Sequence, residues 1–268
     1  MYSHFHRDFP YNENSTWLKP SYAFDGGWKP NRETDFLNVS HGENTIFKYK
    51  KYYSSQTDLE FLKAIGQQAT DYFVANMETD AEYLGVSSYR RYLLLDENRP
   101  EEKIILPATN ETCISLTSET EKEKIFSFFN NNIDVIINRV WKLNVSVETQ
   151  YLTYELPEYW NLFKEGLIKN NPEYKNSMSW FNSNECNFEG IYIMKKNHFK
   201  KMVNEYFGIM EYIWTNCSEI YPDKSKKSYH CSEPFPWRYP GFLNERFVPF
   251  FIYANHLKTT EVPLAFLS

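Results

Sequence analysis

Two adjacent arginines, Arg90 and Arg91, are the residues of this chain best suited to bind an anionic ligand. They follow an apolar run at residues 83–86, which predicts a buried strand, and the hydroxyl residues Ser87 and Ser88. In an open α/β sheet, ligands bind in the crevice beyond the carboxyl ends of the strands. A guanidinium matches two phosphate oxygens at once, and each charge-assisted hydrogen bond contributes about 1.5–3 kcal/mol. The pattern therefore predicts a diphosphate site.

The same arginines have a second interpretation, as surface ion pairs that contribute only about 0–1 kcal/mol to stability. The sequence pattern leaves both interpretations open. In the functional one, the flanking Tyr89 and Tyr92 would contact the diphosphate or its base. Lys195 and Lys196 follow another apolar run, at residues 189–194, and are candidate helpers at the phosphate.

The elements that must position these side chains follow from hydrophobic periodicity. A helix is predicted over residues 57–77, where Thr57 and Glu60 form a capping box, and it leads into the first buried strand. Further helices are predicted at 118–129, 156–169, 197–218 and 241–255. Strands are predicted at 104–107, 133–140, 189–194 and 260–267, and the continuous apolar runs among them are typical of a sheet covered on both faces. Residues 145–154 fit extended chain and helix equally.

Composition and charge narrow the classes of function. The chain has 268 residues and 42% hydrophobic content, which is enough for a sizeable core. A net charge of −6 argues against a nucleic-acid partner. The 9 glycines form no GxGxxG or GxxxxGKS phosphate loop. The aromatic content of 18% is typical of carbohydrate or protein contact surfaces, and also of a genome biased towards Tyr and Phe codons.

Cysteine spacing and hydropathy indicate the compartment. Cys113, Cys186, Cys217 and Cys231 lack CxxC spacing, which argues against structural zinc and favours a reducing cytoplasm. No secretory signal or long apolar span is visible in the sequence. We therefore expect a cytoplasmic protein that does not cross a membrane.

Two motifs carry a resemblance to a known family. Tyr-Leu-Gly-Val-Ser-Ser-Tyr-Arg-Arg-Tyr at 83–92 resembles Gly-Leu-x-His-Tyr-Arg-Arg-Tyr-Phe, the hallmark of bacterial capsular-polysaccharide and lipopolysaccharide glycosyltransferases. Gly-Phe-Leu-Asn-Glu-Arg at 241–246 is similar to that family's Gly-Phe-x-x-Glu-Arg segment. The resemblance covers roughly residues 60–255. Ser88 stands where the family has His, so no role of that His is carried over to this chain.

The resemblance implies one Rossmann-like GT-A domain over residues 1–268, with a mixed, mostly parallel central sheet flanked by helices. Within it, residues 1–56 would be an irregular N-terminal part, 57–194 the nucleotide-sugar-binding core and 195–268 the acceptor-side helices. The implied donor is a UDP- or GDP-sugar. The implied acceptor is a growing surface glycan or a lipid-linked glycan, which would allow peripheral association with the inner-membrane face. The oligomeric state is not indicated.

The resemblance also implies roles for individual residues. Arg90 and Arg91 would stabilise the leaving diphosphate, and Glu245 would act as base or orient the sugar. Glu245 falls in the first turn of the helix predicted at 241–255, where the helix dipole favours an ionised carboxylate. The expected donor-binding residues are Ser87, Ser88, Tyr89, Arg90, Arg91, Tyr92 and Lys195. The expected acceptor-binding residues are Glu189, Trp237, Arg238 and Tyr239, because sugars stack on aromatic faces.

The sequence leaves open whether the reaction needs a divalent metal and which class of reaction takes place. Asp80 and Glu82 precede the strand, and no aspartate pair follows it, so we expect no cofactor besides the nucleotide-sugar. A divalent metal stays open as an alternative. Two rival functions remain, a sugar-phosphate transferase that uses the same arginines and a non-catalytic carbohydrate-binding domain.

Overall fold

The computed structural model describes residues 1–5, 9–22, 37–38, 49, 65, 68–88, 90–217 and 239–268. Its strands, in chain order, are β1 (Tyr2–Phe5), β2 (Lys19–Tyr22), β3 (Leu37–Asn38), β4 (Tyr83–Ser88), β5 (Arg91–Leu93), β6 (Lys103–Leu106), β7 (Val135–Asn138), β8 (Trp141–Lys142), β9 (Glu185–Cys186), β10 (Tyr192–Lys195), β11 (Thr259–Val262) and β12 (Leu264–Leu267). A seven-stranded sheet forms the centre, in the order β3-β2-β1-β4-β10-β7-β11.

All neighbouring strands of the central sheet are parallel except those beside β10, which runs antiparallel to both β4 and β7. The chain moves from β1 outward through β2 and β3, and then returns to place β4 on the other side of β1. This reversal creates a crevice beyond the carboxyl ends of β1 and β4, where open α/β sheets bind ligands. Two smaller sheets, β5-β12-β6 and β8-β9, accompany the central one.

Seven α-helices are described: α1 (Gln68–Asn76), α2 (Asn110–Leu116), α3 (Glu119–Asn130), α4 (Val147–Tyr154), α5 (Pro157–Asn170), α6 (Lys196–Asn216) and α7 (Tyr239–Ala254). A 3-10 helix, Pro172–Asn182, connects α5 to β9. Ser118 caps α3 by accepting a hydrogen bond from the Glu121 N–H, as its sequence signature predicts. Ser146 caps α4 in the same way, which settles the undecided segment 145–154 as helix.

Both faces of the central sheet are buried, because successive residues of a strand point to opposite sides. In β7, Val135 and Ile137 face the larger core, which α1 and α4 to α7 cover. Ile136 faces a second core, which also contains Ile125 and Phe129 of α3. This two-sided cover explains the continuous apolar runs that predicted the strands.

Several predicted boundaries differ from the structure. The strand predicted at 189–194 begins only at Tyr192, because Glu189 and Gly190 have positive φ angles of 83° and 61°, which end extended structure. The strand predicted at 260–267 is two strands, since Pro263 has no N–H and the chain changes sheets there. The helix predicted at 57–77 is described from Gln68 to Asn76, and its capping box lies outside the described residues.

Helix α6 is the longest described helix, with 21 residues, and its apolar face packs in the larger core. Its outer face carries charged residues such as Lys200, Lys201 and Glu211. Among the helices that the structure describes, none is both long and apolar enough to cross a membrane.

Gly85 allows β4 and β10 to approach each other closely. A Cβ atom at this position would lie 2.5 Å from the Tyr192 carbonyl oxygen, which is backbone and cannot move aside. We expect Gly85→Ala to lower the free energy of unfolding by about 1–3 kcal/mol, measured by urea denaturation. The matched control is Gly241→Ala, where the new Cβ meets only Gln68 Oε1 at 3.8 Å, and it should leave stability unchanged or raise it. Equal stability of the two variants would contradict this explanation of Gly85.

Candidate functional site

The carboxyl end of β4 brings several of the predicted residues together. Ser87 and Ser88 end this strand, and Arg91 opens β5 three residues later. Because β10 is antiparallel to β4 and Tyr192 pairs with Val86, the residues that precede β10 lie beyond the same end of the sheet. Glu189 belongs to that segment. The site therefore collects hydroxyl, guanidinium and carboxylate groups in the crevice beyond the carboxyl end of β4.

Arg91 and Glu189 form an ion pair in this crevice. Their Nε and Oε2 atoms lie 3.0 Å apart, and the side chains are only 25% and 13% exposed. The Nε–H is not aimed at the carboxylate well enough for a hydrogen bond, so the contact is mainly electrostatic. The guanidinium carbon also lies 5.6 Å from the centre of the Phe266 ring. Within the described part of the chain, Glu189 is the polar side chain that contacts Arg91.

The backbone at Glu189 is strained. Its φ of 83° is in the left-handed region, which side chains larger than glycine adopt at a cost of about 1–3 kcal/mol. Gly190 follows with a φ of 61°. Strained residues of this kind concentrate at active and ligand-binding sites. The strain turns the chain so that the Glu189 carboxylate reaches Arg91.

The two serines differ in burial. Ser87 is fully buried, and its Oγ has no hydrogen-bond partner among the described residues. Ser88 is partly exposed. Arg90 is exposed beside them, and its carbonyl accepts a hydrogen bond from the Leu267 N–H. Tyr89, between the serines and the arginines, lies outside the described residues. A buried hydroxyl without a hydrogen-bond partner is uncommon in folded proteins and calls for an explanation.

Tyr92 was predicted to bind the donor, and the structure contradicts that prediction. Its side chain is buried in a small core with Leu18 and Leu116, and its hydroxyl contacts Cys113 Sγ at 3.9 Å. Burial, and then the neighbouring thiol, raise the pKa of Tyr92 well above its ordinary value. The alternation of side chains along β5 explains the outcome, since Tyr92 points away from the face on which Arg91 meets Glu189.

Lys195 was also predicted to bind the donor, and it lies at the wrong end of the sheet. It pairs with Tyr83 at the start of β4, so it is at the amino edge, away from Arg91. Its Nζ contacts Asp134 Oδ1 at 2.7 Å. Partial burial raises the pKa of Asp134, but the hydrogen bonds from Lys195 and from the Lys258 N–H together outweigh it and hold the pKa below its ordinary value. Lys196 is equally remote, because its Nζ bonds the Thr79 carbonyl before β4.

Glu245 lies on α7 beside a buried arginine. The helix begins at Tyr239, so Glu245 is its seventh residue and not in the first turn, and the predicted support from the helix dipole is absent. The Glu245 Oε2 atom instead lies 3.0 Å from Nη1 of Arg246. That guanidinium is 4% exposed, contacts the Phe188 ring, and donates a hydrogen bond of 2.7 Å to the Phe242 carbonyl.

Glu245 and Glu189 belong to neighbouring parts of the molecule. Phe188, which contacts Arg246, directly precedes Glu189. The Cys186 thiol also approaches the Glu245 carbonyl at 3.7 Å. The segment 186–190 therefore runs from α7 to Arg91 and carries one candidate carboxylate at its end.

The predicted acceptor residues have mixed outcomes. Tyr239 is only 3% exposed, and its ring stacks on Tyr159 with a centroid distance of 3.8 Å. Its faces are therefore occupied by the core, contrary to the prediction that it stacks on a sugar. Trp237 and Arg238 lie outside the described residues. Glu189 is placed beside Arg91, as described above.

A buried polar cluster that no sequence pattern predicts surrounds the hydroxyl of Tyr192, three residues after Glu189. Asp71 of α1 is 2% exposed, and its Oδ2 accepts a hydrogen bond of 3.0 Å from the Tyr192 hydroxyl. The Asn244 side chain bonds the same hydroxyl. Burial raises the pKa of Asp71 to about 7, although the hydrogen bond from Tyr192 lowers it in part. Helical spacing puts Asp71 on the side of the predicted helix opposite to its apolar residues, such as Ile65 and Ala69, so the pattern carried no signal of this burial.

No group of three or more His, Cys, Asp or Glu side chains that could hold a metal ion occurs among the described residues. The two candidate carboxylates are each paired with an arginine, Glu189 with Arg91 and Glu245 with Arg246. The described part of the site is thus a set of alternating positive and negative groups, which suits a ligand with both phosphate and hydroxyl groups.

Comparisons with known proteins place this geometry in context. No curated protein matches the chain significantly. The solved structure of WbbM, a bifunctional glycosyltransferase in its apo form, is similar over 100% of this chain, with a TM-score of 0.74 and 18% sequence identity. This chain spans 45% of the WbbM chain, and at that identity the likeness shows the fold. Residues 69–256, well over half of the chain, match a family described as Domain of unknown function (DUF4422), and the protein therefore belongs to that family.

Proposed function

We propose that this protein is a glycosyltransferase that moves a sugar from a nucleotide-diphospho-sugar to a growing surface glycan. The observation that carries the proposal is the Arg91–Glu189 pair at the carboxyl end of β4, within a fold that resembles a glycosyltransferase. The mixed, mostly parallel sheet supports a GT-A-like domain. The donor would be a UDP- or GDP-sugar, and the acceptor a glycan or a lipid-linked glycan.

Arg91 would bind the diphosphate that leaves during transfer, with Arg90 as a second cation. A glycosyl transfer builds negative charge on the leaving phosphate, and fixed cations in a crevice stabilise that charge. Phosphate carries more negative charge than Glu189, so it can compete for the guanidinium. Binding would then release Glu189 from its ion pair. Ser88, which is partly exposed, would offer its hydroxyl group to the same ligand, whereas Ser87 is fully buried.

Two carboxylates are candidates for orienting the sugar or for accepting the proton of the acceptor hydroxyl. Glu189 is the stronger candidate, because it lies on Arg91 and its backbone is strained. Glu245 is the second, held by the buried Arg246. A base must come within hydrogen-bond reach of the hydroxyl that it deprotonates. Because the incoming diphosphate would release Glu189 from Arg91, the carboxylate would become free only when the donor binds.

The strain at Glu189 leads to a prediction that separates stability from activity. We expect Glu189→Gly to unfold at the same temperature as the wild type or a few degrees higher, because glycine removes strain of about 1–3 kcal/mol. Turnover of the nucleotide sugar should fall at least tenfold, since the carboxylate is lost. Thermal denaturation and a product assay measure the two effects.

The matched control for that experiment is Asn132→Gly. Asn132 also has a positive φ, of 62°, but it precedes β7 at the amino edge of the sheet. The Asn132→Gly variant should keep full activity. The role of Glu189 would be refuted by a Glu189→Gly variant that folds and turns over at the wild-type rate.

The leaving group distinguishes the proposal from its rivals. Incubation with UDP- and GDP-sugars should release the nucleoside diphosphate, measured by chromatography. Release of the nucleoside monophosphate would instead indicate a sugar-phosphate transferase. If no nucleotide is released but the protein still binds sugar, the result would indicate a carbohydrate-binding domain. A thermal-shift screen with nucleoside diphosphates identifies the base, because a ligand that binds only the folded state raises its melting temperature.

We further expect turnover to persist in the presence of a chelator of divalent metals. The physical reason is that arginine side chains can neutralise the diphosphate in place of a cation. Measured rates with excess EDTA and with added Mg²⁺ or Mn²⁺ test this expectation. Complete loss of turnover in EDTA, restored by either metal, would contradict it and return a metal to the proposed mechanism.

A further inference from the structure

A polar groove of about 780 Å³ lies beside the candidate site and contains none of the residues assigned to the donor. It is open to solvent and is lined by the 3-10 helix, the second half of α7, and the segments around β9 and β11. Its volume is within the range of about 300–1,000 Å³ that is typical of small-ligand sites. We propose that this groove binds a neutral saccharide and that this saccharide is the acceptor; the second part rests on the proposed function.

Two aromatic side chains offer the faces on which sugar rings stack. Tyr253 of α7 lines the groove and is 49% exposed, so its ring is accessible to a ligand. Trp180 of the 3-10 helix lines the groove, and its ring is held from behind by edge contacts to Phe181 and Phe250. Aromatic rings present an apolar face and a polar edge, which match the two kinds of surface on a sugar.

Fixed polar groups also line the groove. The Glu261 Oε2 atom accepts a hydrogen bond of 3.1 Å from the Val140 N–H. The Asn187 amide nitrogen donates to the Asn138 carbonyl at 2.6 Å and approaches Glu261 Oε1 at 3.4 Å. These bonds hold a carboxylate and an amide in place before any ligand binds. Planar carboxylate and amide groups accept and donate hydrogen bonds to neighbouring hydroxyls, as a saccharide requires.

The charge of the groove selects against anions. Glu185 and Glu261 line it, and no Lys or Arg does so among the described residues. Lys142 approaches Glu185 at 3.9 Å from outside the lining. A phosphate or an acidic sugar would therefore be repelled, whereas neutral hydroxyl groups would not. This electrostatic difference separates the groove from the arginine-bearing crevice and assigns it a different ligand.

The groove and the crevice are connected through one short segment. Asn187 lines the groove, and Glu189, two residues later, contacts Arg91. Two residues span at most about 7 Å, so the Cα atoms of Asn187 and Glu189 are no farther apart than that. A saccharide in the groove could thus place its end near the carboxylate that we assign to the reaction.

Saturation-transfer NMR on the full chain tests this inference. The probes are four neutral oligosaccharides (glucan, galactan, mannan and rhamnan fragments) and two acidic ones (hyaluronan and polysialic acid fragments). We expect at least one neutral probe to bind and the acidic probes to bind more weakly. Tyr253 and Asn182 are both exposed. Tyr253→Ala should weaken saccharide binding about tenfold, and Asn182→Ala about threefold. Tyr212→Ala, a tyrosine on α6 outside the groove, should bind as the wild type does.

Three results would overturn the inference: no binding by any neutral probe, binding that Tyr253→Ala leaves unchanged, or tighter binding of the acidic probes. Nucleoside-diphosphate binding, measured on the same samples, keeps this outcome separate from the proposed function. Nucleotide binding without saccharide binding refutes the groove alone. Saccharide binding without nucleotide binding or turnover supports the groove and refutes the transferase.

Discussion

Replacing Arg91 with alanine is expected to reduce the affinity for nucleoside diphosphates by about 10²- to 10⁴-fold. Two charge-assisted hydrogen bonds of about 1.5–3 kcal/mol each would be lost, and each 1.4 kcal/mol is about a factor of ten. Glu189, only 13% exposed, would also lose its counter-charge and repel the diphosphate. Isothermal titration with UDP and GDP measures the effect.

The controls for Arg91 separate phosphate binding from general electrostatics. Arg99→Ala removes an arginine whose ion pair with Asp96 is largely exposed, and it should leave nucleotide affinity unchanged. Arg91→Lys keeps the charge but loses the planar fork, so its affinity should be intermediate. Glu189→Gln should keep or raise nucleotide affinity while turnover falls. Unchanged affinity in both Arg90→Ala and Arg91→Ala would disprove the assigned diphosphate site.

A second large effect is expected for Asp71→Asn, and it should depend on pH. The folded pKa of Asp71 is about 7, against an ordinary value of 3.8, because the carboxyl is buried. The folded state therefore holds a proton that the unfolded state has released between about pH 4 and pH 7. The contribution of this group to the free energy of unfolding is fully present below about pH 4 and is lost as the pH rises to about 7. Above pH 7 the loss is complete.

The size of that effect follows from the shift. About three pKa units at 1.36 kcal/mol each give an upper limit of about 4 kcal/mol for the destabilisation of the wild type by Asp71 above pH 7. The asparagine side chain of the variant would not titrate but could still accept the Tyr192 hydrogen bond. The difference in unfolding free energy between Asp71→Asn and the wild type should therefore shift in favour of the variant between pH 5 and pH 8. Urea denaturation at both pH values measures it, and a constant difference would contradict the raised pKa.

Much of the local structure of this protein is determined by the sequence. The apolar runs at β4, β7 and β10 predicted buried strands because a sheet covered on both faces needs apolar residues at every position. The Ser118 cap, with Glu121 three residues later, predicted the start of α3 because the signals are local. The adjacent arginines after a predicted strand likewise indicated that the site lies at the carboxyl end of β4.

What only the tertiary structure decided was which of these residues meet. Lys195 looked equivalent to Arg91, since each follows an apolar strand, but the direction of β10 relative to β4 puts it at the opposite edge. Strand direction depends on the path of the whole chain, which no local pattern contains. Tyr92 and Tyr239 became core residues for a similar reason, because burial depends on which elements pack on them.

The pairings that define the site are also products of the tertiary fold. Glu189 meets Arg91, and Asp71 meets Tyr192, across separations of about a hundred residues along the chain. The strained backbone at Glu189 opposes its local preference and persists because the surrounding structure holds it. The sequence thus determined the elements and the chemical groups that they carry. Long-range packing determined which groups share one crevice, because contacts between distant residues depend on the closure of the whole chain.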